Sequence, residues 1–222
     1  MVQSFSLIDA ASLGDLKVYL GRAARVENGS VRLIGGLGVL AAYTATLTPK
    51  GLLDRTPTVL GLRTFALAVS DGFDVVVPIR AMLDRLAQLS LQANSNEGPL
   101  EVSLPPAETG VAWAGISPPR GGWQAAGTLE ANVLEHIARA GIAEVAETVG
   151  SETGEQLVHR VRSEVWGRDI ETPDAVDVVI PAGAAFAADS LGFIKRDDIV
   201  MIYSSGPWVR LTTRRGHVLV RR

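Results

Sequence analysis

The sequence predicts an α+β fold. Three observations carry this: period-two apolar alternation rich in Thr in the first third, apolar residues at helical spacing on either side of it, and a strand–turn–strand–turn–strand pattern at the end. The expected architecture is an N-terminal antiparallel β-meander with flanking helices, then a helical segment ending in a C-terminal β-meander.

The first helix is expected from a capping box at Ser12 and Asp15, with Leu13, Leu16, Leu20 and Ala23 at helical spacing and Asn28-Gly29 as the stop. Val31–Ile34 is a short apolar strand. Val39, Ala41, Tyr43, Ala45 and Leu47 alternate with residues that include three threonines, which suits a pleated surface. Thr58–Val69 reads as the next strand. Asp71-Gly72 reads as a type I′ hairpin turn into Phe73–Val77. Pro78 suits the first turn of a helix whose apolar face is Ile79, Met82, Leu83, Leu86 and Leu89.

The stretch 94–99, Asn-Ser-Asn-Glu-Gly-Pro, is a turn-rich linker. Pro105-Pro106 and Pro118-Pro119 punctuate the segment after it, with strand-like pieces near Val102 and Val111. Thr128 is expected to cap a helix carrying Leu129, Val133, Leu134, Ile137 and Ala138. Gly141 is expected to end it, with a second short helix over 142–149 and a third capped by Ser151. Pro181 opens a small-residue helix to Leu191 that Gly192 ends. Its Ala and Gly content implies close packing against a neighbour. The last strands are 199–204, 208–212 and 217–221. These elements divide the chain into an α+β lobe over 1–92, a Pro/Gly-rich crossover over 93–127 and a helical lobe with C-terminal hairpins over 128–222. Asp74-Val-Val-Val-Pro and Asp177-Val-Val-Ile-Pro look alike, but their flanks differ, so they are not read as a duplication.

Composition narrows the function classes. Of 222 residues, 47% are hydrophobic and 20% charged, as in a folded globule. With no cysteine there is no disulfide framework, thiol nucleophile or Cys-based metal site. The N-terminus has no basic start and no apolar core of signal length, and the longest uncharged run, Leu33–Pro49, is slightly too short for a membrane span, so a soluble cytoplasmic protein without membrane contact is expected. The net charge of −3 carries no global nucleic-acid signature. Charge is nevertheless uneven: residues 127–177 hold eleven acids against four bases, and residues 195–222 hold seven bases against two acids.

Three segments, Pro118–Trp123, Ala184–Phe193 and Trp208–Arg221, resemble segments of an uncharacterised actinobacterial protein family. The resemblance implies a cytoplasmic bacterial protein and carries over no activity and no catalytic residue.

Known chemistries find little support. Gly36-Leu-Gly38-Val-Leu-Ala41 matches a dinucleotide fingerprint, with Asp54 as a candidate ribose acid, but a strand pattern follows where a helix is required, so no cofactor is expected. His136, His159 and Glu155 lack ligand spacing, and no metal is expected. There is no G-x-S-x-G and no Walker A loop. Two segments remain. Arg120 and Trp123, with Trp113 near in sequence, suit either a rigid recognition loop or a core plug. Arg210, Arg214, Arg215 and His217, on basic hairpins, suit either phosphate contact or internal pairing with the acidic helices. The leading expectation is a non-enzymatic binding or interaction protein of the bacterial cytoplasm, self-associating as a homo-oligomer. The alternatives are nucleic-acid binding through the basic hairpins, and an enzyme without a recognisable motif.

Overall fold

The computed structural model describes residues 3–51, 53–69, 72–92, 98–149 and 154–222, and among them places ten strands and five α-helices. The fold is α+β with antiparallel pairing. The chain forms two compact units. One comprises Met1–Ala45 and Leu62–Ile116, the other Thr46–Gly61 and Ser117–Arg222.

The first unit begins with β1 (Ser4–Leu7) and α1 (Ala10–Val26). Asp9, not Ser12, is the N-cap: its side chain accepts from the Ser12 amide at 2.7 Å. The helix therefore starts before the expected box, because a carboxylate satisfies the orphan amides of the first turn as well as a hydroxyl. Leu13, Leu16, Tyr19, Leu20 and Ala23 bury one face. The Tyr19 hydroxyl, taken out of water, is 2.9 Å from the Thr44 hydroxyl and 3.3 Å from the Ala42 carbonyl, so the ring is buried without an orphaned polar group.

Next come β2 (Ser30–Gly36), β3 (Val39–Leu47), β4 (Thr58–Val69), β5 (Phe73–Pro78), α2 (Ile79–Gln92), β6 (Leu100–Ser103) and a 3-10 turn at Ala112–Gly115. Gly36 opposes Val39, leaving Leu37-Gly38 as a two-residue turn. Both have positive φ, 52° and 76°, as a type I′ hairpin requires. A strand follows these glycines, so the helix N-terminus that a pyrophosphate needs is not formed there.

β5 corrects the expected hairpin: it pairs with β2, from Ser30↔Pro78 to Gly35↔Phe73, while the end of β4 pairs with β1. Gly35 makes that register fit, since a Cβ there would lie 2.2 Å from the Phe73 ring. Asp71 of the expected turn lies outside the described residues, as do residues 94–97 of the expected linker and Ser151. Pro78 closes β5 and does not open α2. The piece near Val111 is the 3-10 turn, not a strand.

The second unit contains β7 (Gln124–Glu130), α3 (Ala131–Thr148), α4 (Glu155–Gly167), α5 (Ala182–Ser190), β8 (Ile199–Ser205), β9 (Trp208–Thr212) and β10 (His217–Arg221). Its strands run β7-β8-β9-β10, each antiparallel to the next. Thr128 and Leu129 belong to β7 rather than to a helix, held by pairing with Met201 and Val200. Gly141 neither breaks nor ends α3. A Cβ there would sit 2.3 Å from the Trp166 ring, so the glycine admits that indole, and the helix runs on to Thr148. Trp166 is buried and stacks on Phe186 at 4.4 Å between centroids. The small residues of α5 let it contact α3, α4 and β10 closely. Ala187 is fully buried inside this unit, so α5 does not offer a self-association surface.

Candidate functional site on the C-terminal sheet

Strand alternation sorts the side chains of β8, β9 and β10 between two faces. Val200, Ile202, Leu211, Val218 and Val220 are buried on one. The registers Tyr203↔Arg210↔Leu219 and Met201↔Thr212↔His217 define rows on the other. Toward β10 that second face is closed, since Leu219 is buried. Along β8 it is open: Ile199 is 57% exposed and Met201 40%.

Arg210, on β9, stands between these two parts of the face, with the buried Trp208 two residues before it. Its guanidinium carbon lies 4.5 Å from the centroid of the Trp123 ring and 4.7 Å from that of Tyr203. Both distances fall within cation–π range. Trp123 is held by its indole N–H, which donates to the Pro119 carbonyl at 3.1 Å. Gly122, at φ 74°, permits the bend that brings the loop over β9. The Arg210 Nε is buried and has no hydrogen-bond partner, and no ion pair reaches Arg210 among the described residues. Burial lowers the guanidinium's pKa from its ordinary value. Burial first and the Arg210 charge second lower the pKa of His217, favouring neutral imidazole. One imidazole nitrogen, Nδ1, sits 3.1 Å from the Thr212 hydroxyl.

Of the six residues singled out in the sequence, Trp123, Arg210 and His217 thus meet on one face. Arg120 is exposed on the same loop, and Arg214 is exposed on the β9–β10 turn. Arg215 pairs with Asp198 at 3.0 Å. Despite the desolvation that works against it, the Asp198 carboxyl is held below its usual range by the Lys195 amide and by Arg215. Arg222 pairs with Asp169. The acids that meet the tail therefore stand at the ends of β8 and α4, not on the exposed faces of the acidic helices. Tyr203 is not among the six. Its only sequence signal is its position on a strand that pairs with Arg210. Trp113 lies in the 3-10 turn of the first unit.

The remaining histidines form no shared site. Among the described residues no group of three or more His, Asp or Glu side chains could hold a metal. His136 is exposed on α3, and Glu155 pairs with Lys50 at 3.3 Å. His159 Nε2 lies 2.8 Å from an Asp54 carboxylate oxygen and 3.3 Å from the Ser163 hydroxyl. Both partners meet the same ring nitrogen, so the imidazole cannot relay a proton between them as a catalytic triad does. Burial works against ionisation of Asp54, but hydrogen bonds from Thr56, the Lys50 amide and His159 hold its carboxyl below the usual range. It ties Lys50 and Thr56 to His159 of α4.

Residues 1–115 match the family model for a domain of unknown function, DUF8010, and residues 118–222 match that of another, DUF8185. The first match spans more than half of the chain. The chain belongs to the DUF8010 family. No curated protein matches it.

Among solved structures the chain is similar in fold to sliding clamps of bacterial DNA polymerase III. The β subunit from Borrelia burgdorferi, in complex with a natural product, has a TM-score of 0.56 at 8% identity, covering 99% of this chain and 64% of that one. The clamp from Caulobacter crescentus has a TM-score of 0.54 at 10% identity, covering 99% and 65%. That from Bartonella birtlesii, bound to griselimycin, has a TM-score of 0.55 at 15% identity, covering 100% and 65%. The chain therefore spans just under two thirds of the clamps' length. At these identities the likeness concerns the fold. No helix among the described residues is long and apolar enough to cross a membrane.

Proposed function

We propose that this chain is a non-catalytic, clamp-like interaction protein of the bacterial cytoplasm that receives a protein partner on the open face of its C-terminal sheet. The observation that carries the reading is Arg210, a cation held against two aromatic rings with no anion of its own among the described residues, on the same sheet face as the exposed Met201 and Ile199. A rigid aromatic–arginine anchor with apolar neighbours is the composition of an interface centre. The likeness to sliding clamps, which are subunits of a DNA polymerase, supports the same class.

The test is capture by the immobilised full chain from a lysate of its own source cells. Wild type is expected to retain a protein in near-stoichiometric amount. Met201→Glu, which puts a charge on the open face, is expected to lose it. Ile142→Glu, on the exposed side of α3, is expected to keep it. Equal retention by Met201→Glu would remove the reading.

Nucleic-acid contact is a second reading, favoured by the clamp likeness and the basic tail. Against it, Arg215 and Arg222 are already matched by Asp198 and Asp169, and each phosphate contact needs a cation to spare.

A further inference from the structure

We propose that Arg210 anchors a carboxylate carried by an otherwise apolar segment of the partner protein. This rests on the reading of the open sheet face as an interaction surface, and adds to it the chemistry of what binds.

Arg32, Arg63, Arg139, Arg168, Arg215 and Arg222 each have a carboxylate within reach. Arg210 has none among the described residues, although it lies deeper than a freely solvated side chain and its Nε is cut off from water. A guanidinium has five N–H donors, all in one plane. Trp123 and Tyr203 both hold a ring against that guanidinium, 4.5 and 4.7 Å from its central carbon. With Nε cut off from water, the terminal nitrogens are the donors left to an incoming group, and a carboxylate can bind them in bidentate fashion.

Met201 and Ile199, two and four residues before Tyr203 on β8, are exposed on the same sheet face. An acidic side chain flanked by aliphatic ones complements that arrangement in charge and in hydrophobicity. A polyphosphate backbone fits it less well. It would set strongly hydrated charges against Met201 and Ile199, and the neutral imidazole of His217 offers it no second positive charge.

The probes are the peptide acetyl-Ala-Val-Glu-Val-Ala-amide, its Gln counterpart, and a short oligothymidylate, each titrated into the full chain at near-physiological salt. The readouts are the NMR signals of the Trp123 indole N–H and the Arg210 Nε–H. The Glu peptide is expected to shift both signals saturably. The Gln peptide is expected to bind at least about tenfold more weakly, as a charge-assisted contact is lost. Arg210→Lys is expected to weaken the response and Arg210→Ala to abolish it. Equal response to Glu and Gln peptides, no saturable shift by about 1 mM, or tighter binding of the oligonucleotide would overturn the proposal. Should Arg210→Ala fail to fold, the Glu/Gln comparison on wild type decides alone. The partner capture separates the two claims. Loss in Met201→Glu with retention in Arg210→Ala would remove the carboxylate anchor and leave the surface, and retention in both would remove both.

Discussion

Arg210 and His217 occupy adjacent rows of one sheet face, and the charge of the first bears on the protonation of the second. The folded chain lowers the His217 pKa, by burial above all and then by the Arg210 charge. Unfolded imidazole titrates near 6.5. As pH falls through that value the unfolded chain binds its proton first, so His217 makes the fold less stable below about pH 6.5 and leaves it unaffected above. Arg210→Ala removes the smaller cause. The His217 titration midpoint, followed by NMR, is expected to rise toward the unperturbed value without reaching it. A midpoint unchanged in Arg210→Ala would contradict the electrostatic coupling between these rows. Asp54 illustrates the opposite case. It is conspicuous in the sequence for its distance from a glycine pair, yet its hydrogen bonds to Lys50, Thr56 and His159 belong to loop closure.

At the scale of elements, the strands are legible in sequence where period-two alternation meets turn residues, as in β3, β9 and β10. The helices are legible by their apolar spacing. The rest is set by tertiary partners. Thr128-Leu129 resembles a helix start by propensity but pairs with β8 instead. Asp9 precedes the expected capping box and caps α1 itself. β5 follows β4 in sequence, yet finds its partner in β2 through the Gly35–Phe73 approach.

Gly141 reads as a breaker in sequence because isolated glycine weakens a helix. Its reason is instead the Trp166 ring that covers it. This gives a paired prediction for two helical glycines. Gly141→Ala is expected to destabilise the fold by about 1–3 kcal/mol, since the added methyl overpacks the indole. Gly14→Ala in α1 meets nothing within 4 Å and is expected to stabilise by about 0.5–1 kcal/mol. Denaturant unfolding of the two variants checks both signs. A neutral Gly141→Ala would mean that Trp166 does not pack there.

The site is legible in part for the same reason. Trp123, Arg210 and His217 stand out as chemistry-bearing residues in the sequence. That they meet, and that Tyr203 joins them, depends on the registers β8–β9 and β9–β10 and on the bend at Gly122. Arg215 and Arg222 look equally available in sequence, and they are not, because Asp198 and Asp169 fold back onto them.

At the scale of the molecule, sequence identity to the sliding clamps of 8–15% is far too low to carry function, while the fold likeness extends over nearly the whole chain. On that fold the chain carries a net charge of −3 and an arginine that has no acid beside it among the described residues. The claim at the centre is that the open face of the C-terminal sheet is where a partner docks. Hydrogen exchange of the full chain, alone and with its captured partner, tests it most directly. Added protection is expected in β8, β9 and the 118–123 loop, with α3 and α4 unchanged. Protection confined to α3 and α4, or to the first unit, would contradict it.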